Sequence, residues 1–261
     1  MAITLRSRRE IELMRQAGAV VARILARLRQ MAQPGVSTGE LDRLAGRMTA
    51  DAGAEPLFKG VQGPKGARPF PGVICASINQ EVVHGIPSDR RVLKEGDILS
   101  IDFGVRLNGY CGDAAITVGI GCISRDRQRL IDVTKGALDL AISQIRPGVR
   151  WSQIAGMMQR HVEDAGFSVV REFVGHGIGT QMHEDPKVPN YVSEELLADD
   201  IVLKEGMVLA VEPMVNAGSY RVATMPNGWT VVASDGCCSA HFEHTIAVTA
   251  NGCEVLTLEK D

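Results

Sequence analysis

The chain has 261 residues, 45% hydrophobic and 23% charged, which is ordinary for a globular protein with a large core. Its net charge of −3 offers no long-range attraction for nucleic acid or an anionic membrane, so we predict no nucleic-acid readout. The sequence contains no apolar run of about 18 residues and no apolar signal-peptide segment, so we expect no membrane span and no export. The six cysteines lack C-x-x-C spacing, which indicates free thiols in a reducing compartment, the cytoplasm.

Hydrophobic periodicity predicts two helices at the start of the chain. Ser7 and Glu10 form the S-x-x-E pattern of a capping box, and apolar residues recur behind them at helical spacing as far as Pro34. A second S-x-x-E pattern at Ser37 begins a helix that ends near Gly53. Extended segments are predicted next, at about 73–78, 98–105 and 110–118.

Helices precede strands a second time in the other half of the chain. Ser124 caps a helix that extends to Ile145, and a further helix is predicted at about 152–165. The strands predicted after them are 168–174, 207–215, 229–233 and 239–248. This order predicts an α+β fold, with helices on one face of a curved, mostly antiparallel sheet.

An internal repeat relates the two halves. The segment from Leu93 to Asp102, LKEGDILSID, closely matches the segment from Leu203 to Glu212, LKEGMVLAVE. We therefore predict a single domain over residues 1–261 with two pseudo-symmetric halves, about 10–120 and 121–257. The repeat places Asp102 and Glu212 at equivalent positions, although LKEG could also be an ordinary turn before a strand.

A short turn signal determines the relative placement of two aspartates. The Asn108-Gly109 dipeptide is typical of a two-residue type I′ hairpin turn. Such a turn pairs Gly104 with Asp113, so Asp102 and Asp113 lie diagonally on one face of the hairpin. Two carboxylates that converge among apolar neighbours repel each other unless a cation lies between them. An ion pair with arginine is the alternative.

Three further residues extend this carboxylate set. His176 follows a predicted strand within a glycine-rich turn, Glu212 ends an apolar strand before proline, and Glu243 begins another apolar strand. Separately, each could be a surface group or one partner of a buried ion pair. Together, four carboxylates and one histidine indicate two divalent metal ions, with Co, Mn, Fe and Zn as candidates. Two such ions about 4 Å apart can activate water for hydrolysis.

The same residues lie in strings that closely resemble the type I methionine aminopeptidases of the pita-bread metallohydrolase family. The matching strings are 77–87, 101–102 with 112–113, 175–179, 201–207, 211–218, 228–231 and 243–245. The resemblance implies the pita-bread fold and the removal of the initiator methionine from nascent polypeptides, with preference for a small second residue. A ribosome is then a candidate partner, and a monomer is the default expectation.

The resemblance also implies a role for each metal ligand. Asp102 would be a bidentate ligand of one ion, whereas Asp113 and Glu243 would bridge both ions. His176 and Glu212 would complete the second ion's ligands, and Glu212 would also accept a proton from the attacking water.

Substrate contacts follow from the resemblance in the same way. His183 would contact the scissile carbonyl oxygen and His84 the scissile amide region; without the family, both would be interpreted as loop residues. Phe70, Cys75 and Trp229 would line the pocket for the methionine side chain, whose thioether suits aromatic and sulfur neighbours.

Two positions depart from the family pattern near this pocket. Met182 precedes the second active-site histidine, where several members carry an aromatic residue, and we include it among the substrate-binding residues. Arg68 replaces a histidine often found before the pocket aromatic. A third departure lies at 237–241, which reads CCSAH. These changes affect the shape of the pocket and leave all five ligand positions filled.

Four kinds of relative with the same fold provide alternatives. Prolidases and X-Pro aminopeptidases usually carry a separate N-terminal domain, and type II methionine enzymes carry a large insertion in the second half. The short separation of His183 and Glu212 fits type I. A metal-free binding protein of the same fold would lack ligands, and here each ligand position is filled.

Overall fold

The computed structural model describes residues 3–63 and 66–258, so the ends of the predicted domain, 1–2 and 259–261, lie outside the described residues. The helices are α1 (Arg8–Met31), α2 (Thr38–Asp51), α3 (Arg125–Gln144), α4 (Trp151–Asp164) and α5 (Glu194–Ala198). The strands are β1 (Glu55–Pro56), β2 (Cys75–Ile78), β3 (Glu81–Val83), β4 (Ile98–Leu107), β5 (Tyr110–Gly119), β6 (Ser168–Val169), β7 (Gly175–Gly177), β8 (Glu184–Val188), β9 (Val208–Val211), β10 (Met214–Asn216), β11 (Val222–Thr224), β12 (Val231–Ala233), β13 (Ser239–His241), β14 (Glu243–Thr249) and β15 (Gly252–Val255). No helix in this described part is long and apolar enough to cross a membrane.

The first helices begin at the residues that the sequence predicts. In α1, the Ser7 hydroxyl accepts the backbone N–H of Glu10, and the Glu10 carboxylate accepts the backbone N–H of Ser7. Ser37 and Glu40 form the same reciprocal capping box at α2, and Ser124 caps α3. Each cap satisfies N–H groups that lack a partner within the helix, which stabilises the helix by about 1 kcal/mol.

A nine-stranded antiparallel sheet forms the centre of the molecule. Its strand order is β1-β4-β5-β14-β9-β7-β8, with β2 also beside β4 and β15 also beside β14. Two three-stranded sheets, β13-β10-β6 and β11-β12-β3, flank it. The predicted α+β fold with a curled antiparallel sheet and helices is therefore confirmed.

Alternation along β4 separates the packed face of the sheet from the face that bears the carboxylates. Ile101 and Phe103 are fully buried against α1 and α2, and they point away from the side of Asp102. In the second half, Trp151 of α4 packs with Leu209 of β9 in a separate core cluster. Each large apolar side chain buried in this way contributes about 1.5–3 kcal/mol. The helices thus cover one face and leave the other free for polar groups.

Some predicted strand lengths were wrong. The single strand predicted over 207–215 is interrupted between β9 and β10, because Pro213 has no N–H to continue the ladder. The strand predicted over 239–248 is interrupted at Phe242, and the one predicted over 168–174 is limited to β6. Helix α5 and the short strands β1, β3, β7, β8, β11 and β15 were not predicted, because such short elements carry little hydrophobic periodicity. His176 was predicted in a turn after a strand, and the structure places it within β7 instead.

Candidate metal centre and adjoining pocket

The β4–β5 hairpin places two predicted ligands on one face of the sheet. Asn108 and Gly109 form its turn with φ of 52° and 83°, as a type I′ turn requires. Gly104 lies opposite Asp113, and Asp102 is two residues before Gly104. Because side chains alternate along a strand, the carboxylates of Asp102 and Asp113 are on the same face.

Strand β14 brings a third carboxylate to this face. Glu243 is the first residue of β14 and lies opposite Ala115 of β5. Ala115 is in turn opposite Asp102 of β4, so Glu243 and Asp102 belong to one row of residues across three strands. Directly opposed residues project from the same face, so Glu243 joins the two aspartates.

Strands β9 and β7 add the remaining predicted ligands. The β9–β14 ladder ends at Val211, and continuing its register by one residue places Glu212 opposite Glu243. His176 of β7 lies opposite Ala210 of β9, two residues before Glu212. All five predicted ligands therefore share the face of the sheet that the helices leave free.

The imidazole of His176 is oriented by a hydrogen bond of its own. Its Nδ1 lies 2.9 Å from the carbonyl oxygen of Gly177, to which an Nδ1–H donates. This tautomer leaves the Nε2 lone pair free, and Nε2 lies 3.5 Å from Oε1 of Glu212. A group of three donor atoms lies within 4.8 Å, one atom each from Asp113, His176 and Glu243. This separation suits binding to one shared ion.

Burial dominates the electrostatics of the carboxylates. It raises the pKa of Asp102 and of Glu212 to about 7. Burial, followed by the nearby carboxylates, raises the pKa of Asp113 and Glu243 well above the usual range. Without a cation, this centre therefore retains protons that an exposed carboxylate would release.

Unpartnered oxygens show that the centre fits a divalent metal. Oδ1 of Asp102, Oδ1 of Asp113 and Oε1 of Glu243 are buried without a hydrogen-bond partner within residues 3–63 and 66–258. A buried oxygen without a partner costs about 1–3 kcal/mol, or more when charged. Several converging carboxylates and one imidazole with a free lone pair form a donor set suited to divalent metals.

Next to this centre lies a cavity of about 800 Å³. It is lined by every residue that the sequence analysis assigned to the site: Phe70, Cys75, His84, Asp102, Asp113, His176, Met182, His183, Glu212, Trp229 and Glu243. The roles of these residues stay predictions, but the fold brings them together from both halves of the chain.

An apolar cluster forms one part of the cavity wall. The rings of Phe70 and Trp229 are 5.1 Å apart at an interplanar angle of 72°, and Cys75 and Met182 pack with them. The Trp229 Nε1–H donates to the carbonyl oxygen of Arg68 at 2.7 Å, which holds the indole against the cavity. The two positions that depart from the family pattern therefore contribute differently: Met182 offers a flexible apolar side chain, and Arg68 a backbone acceptor.

Two histidines line the same cavity as the apolar cluster and the carboxylates. His84 has a φ of 59°, and its ring is 6.2 Å from that of Trp229. The ring of His183 is 4.4 Å from that of His176. Burial, together with His241, lowers the pKa of His84 to about 4, and burial also lowers the pKa of His183. Both imidazoles are therefore neutral near neutral pH.

The structure adds residues that the sequence analysis did not assign. His241 is 1% exposed, and its Nε2 lies 3.6 Å from Oε2 of Glu212. Its spacing two residues before Glu243 was the available signal. Arg6 and Glu184 form an ion pair at the cavity wall although they are 178 residues apart, a contact that local sequence patterns do not reveal.

The fold and the carboxylate-bearing face define a pita-bread metallohydrolase, and residues 12–250 match metallopeptidase family M24. The chain is 50% identical to methionine aminopeptidase 1 of Bacillus subtilis over 249 residues, which cover 95% of this chain and 96% of that protein. The chain thus belongs to metallopeptidase family M24 and, within it, to the methionine aminopeptidases.

Solved structures agree with this assignment. The crystal structure of methionine aminopeptidase from Thermotoga maritima matches with a TM-score of 0.92 and 41% identity, covering 99% of this chain and 100% of that one. The prolidase from Pyrococcus horikoshii matches with a TM-score of 0.75 and 21% identity, covering 98% of this chain and 64% of that one. At this lower identity, the similarity to the prolidase shows a shared fold alone.

Proposed function

We propose that this protein is an aminopeptidase that uses divalent metal ions to remove the initiator methionine from nascent polypeptides, with preference for a small second residue. One observation carries the proposal: a single cavity joins a carboxylate centre with unpartnered oxygens to an apolar wall of Phe70, Cys75 and Trp229. The relatives named methionine aminopeptidase, similar over nearly their whole length, support it.

The proposed centre holds two divalent ions. Asp102 would hold one ion, His176 and Glu212 would hold the other, and Asp113 and Glu243 would be shared between the two. Its oxygen-rich donor set suits Mn, Fe and Co, and Zn also accepts such ligands. When bound, the ions lower the pKa of water and stabilise negative charge on oxygen.

The protein's own groups then position the substrate and transfer the proton. Glu212 accepts a proton from the attacking water, a role supported by the position of its carboxylate at the wall of the cavity beside His176. His183 donates to the scissile carbonyl oxygen and His84 contacts the scissile amide. The neutral imidazole expected at both positions supports these roles, because it has one N–H to donate.

We also propose how the chain is organised, where it works and what it binds. The chain acts as one catalytic unit of two related halves, 10–120 and 121–257, and as a monomer. It works in the cytoplasm, where the N-terminal methionine of nascent chains is the substrate and the ribosome a candidate partner. The free cysteines support a reducing compartment.

Hydrolysis of three tripeptides tests the function. Met-Ala-Ser, Gly-Ala-Ser and Ala-Pro-Ser would be offered after chelation and after addition of Co or Mn, to the wild type and to Asp102→Ala. We expect metal-dependent release of methionine only, lost in Asp102→Ala and retained in Asp51→Ala, which changes an exposed aspartate at the end of α2. Cleavage of Ala-Pro-Ser would instead indicate an X-Pro aminopeptidase, and no cleavage with any metal a binding protein.

A further inference from the structure

His241 lies beside the metal centre without belonging to the five proposed ligands. It ends strand β13, opposite Met214 of β10. The Thr117 hydroxyl fixes its backbone from both sides: Thr117 Oγ1 accepts the His241 N–H and donates to the His241 carbonyl oxygen, each at 2.8 Å. The backbone of His241 is therefore fixed, and its side chain is buried in the core.

Two imidazoles bracket the Glu212 carboxylate, one at each oxygen. Nε2 of His176 lies 3.5 Å from Oε1, and Nε2 of His241 lies 3.6 Å from Oε2. Nε2 of His241 is buried and has no hydrogen-bond partner among the described residues. A buried nitrogen without a hydrogen bond lowers the stability of the fold, unless it forms one with the group that it faces.

The two oxygens of Glu212 face different chemistry. The Nδ1–H of His176 donates to the carbonyl oxygen of Gly177, so Nε2 of His176 carries a free lone pair next to Oε1 of Glu212. An ion between Nε2 and Oε1 can bind both of these atoms. Oε2 faces the other imidazole. The Glu212 side chain is 13% exposed, and a carboxylate oxygen that does not bind the ion is stabilised by a hydrogen-bond donor.

We propose that His241 is a positioning residue whose Nε2–H donates to Oε2 of Glu212 and so keeps Oε1 directed at the metal. The inference rests on the proposed metal centre. The separation of 3.6 Å exceeds a normal hydrogen bond of about 2.9 Å, and such contacts often tighten when a catalytic site is filled. Ligation by His241 itself is the competing role, because one of its ring nitrogens also lies within 4.8 Å of donor atoms of Glu212 and Glu243.

Two substitutions separate hydrogen bonding from packing. His241→Leu keeps an apolar side chain in the space and leaves Oε2 without a donor, whereas His241→Gln supplies an N–H donor. We expect His241→Leu to weaken Mn²⁺ binding about 10- to 100-fold in calorimetric titration. His241→Gln should stay within about threefold of the wild type, because one hydrogen bond is exchanged for another.

A matched control removes a histidine elsewhere. His161 lies in α4, and its Nε2 is likewise buried without a partner among the described residues. His161→Leu should leave Mn²⁺ affinity unchanged. Equal affinity in His241→Leu and the wild type would overturn the proposal, as would equal losses in His241→Leu and His241→Gln.

Proton NMR of the Co²⁺-loaded protein distinguishes positioning from ligation. Each imidazole bound to paramagnetic Co²⁺ gives one strongly shifted, exchangeable N–H signal. We expect one such signal, from His176, in the wild type and in His241→Gln. A second signal that His241→Gln removes would make His241 a ligand and overturn the proposal, even if His241→Leu did not fold. A wild type that binds no Co²⁺ would overturn the proposed metal centre itself.

Discussion

Gly104 faces Asp113 across the β4–β5 hairpin, and its missing side chain leaves the space that the Asp113 carboxylate occupies. A Cβ atom on Gly104 would lie 2.8 Å from Oδ1 of Asp113 and 2.9 Å from Cδ1 of Leu57. Contacts this short force one of the groups to move, because the interior is close-packed. The position of a proposed bridging ligand therefore depends on a glycine in the neighbouring strand.

Gly104→Ala should displace the Asp113 carboxylate and weaken Mn²⁺ binding by about tenfold or more, with a loss of about 1–3 kcal/mol in unfolding free energy. Calorimetric titration and denaturant unfolding measure the two effects. Gly46→Ala in α2 is the control, because its new methyl group would meet Cγ2 of Val73 at an ordinary 3.5 Å. Unaltered Mn²⁺ affinity in Gly104→Ala would contradict the prediction.

Metal binding should release more protons at about pH 6 than at about pH 8.5. Asp102 and Glu212, with pKa values of about 7, are mostly protonated at the lower pH in the metal-free protein and must lose those protons to bind an ion. Metal affinity therefore rises with pH through this range. Calorimetric titration in buffers of different ionisation enthalpy counts the protons released.

A variant identifies the source of these protons. Asp102→Asn has no proton to release at position 102, so its release at about pH 6 should be smaller than that of the wild type. Equal proton release at the two pH values would show that Asp102 and Glu212 do not titrate between them, and no release at either pH would show that the carboxylates are already ionised without metal.

Phe70→Ala should lower kcat/KM for Met-Ala-Ser about 10- to 100-fold, since a large apolar contact contributes about 1.5–3 kcal/mol. Phe70 is 2% exposed and offers no metal donor, so Mn²⁺ affinity should not change. Steady-state kinetics and calorimetric titration check both statements. The control, Phe167→Ala, removes a ring that packs on the core near α4, and should lower stability without affecting kcat/KM. Unchanged kcat/KM in Phe70→Ala would exclude this wall as the methionine pocket.

His84→Asn should lower kcat about 10²- to 10⁴-fold, the range typical of a lost proton-transfer or polarising group. Asparagine tolerates the positive φ of 59° at this position, so the backbone should be retained while the imidazole is lost. His84→Ala should be less stable than His84→Asn by about 1 kcal/mol, because alanine is strained in this conformation. Kinetics and thermal unfolding measure both; a fully active asparagine variant would exclude a catalytic role for the ring.

Local rules were enough to predict the hairpin that carries two of the proposed ligands. The Asn108-Gly109 turn and the alternation of side chains give the register of Gly104 with Asp113, which the structure confirms. The capping boxes at Ser7 and Ser37 are short-range patterns of the same kind, and both formed as predicted. In each case the interacting residues are fewer than ten positions apart in the chain.

Contacts between distant segments could not be predicted in this way. Arg6 reaches Glu184 across the fold, and His241 meets Glu212 only because β13 pairs with β10. Hydrophobic periodicity also failed to predict the strand breaks, since Pro213 interrupts an apolar segment whose pattern predicts one continuous strand. The resemblance to a family supplied the site residues that local patterns left open, but it gave no account of His241.

Strand β14 is the central partner of the sheet, because it lies between β5 from the first half and β9 from the second. It also begins with Glu243, close to the C-terminal end of the chain. During synthesis the β4–β5 hairpin emerges long before the strand that joins it to β9. The proposed metal centre therefore lacks one of its ligands until β14 has been synthesised, and a chain truncated before residue 243 lacks both the connecting strand and the Glu243 carboxylate.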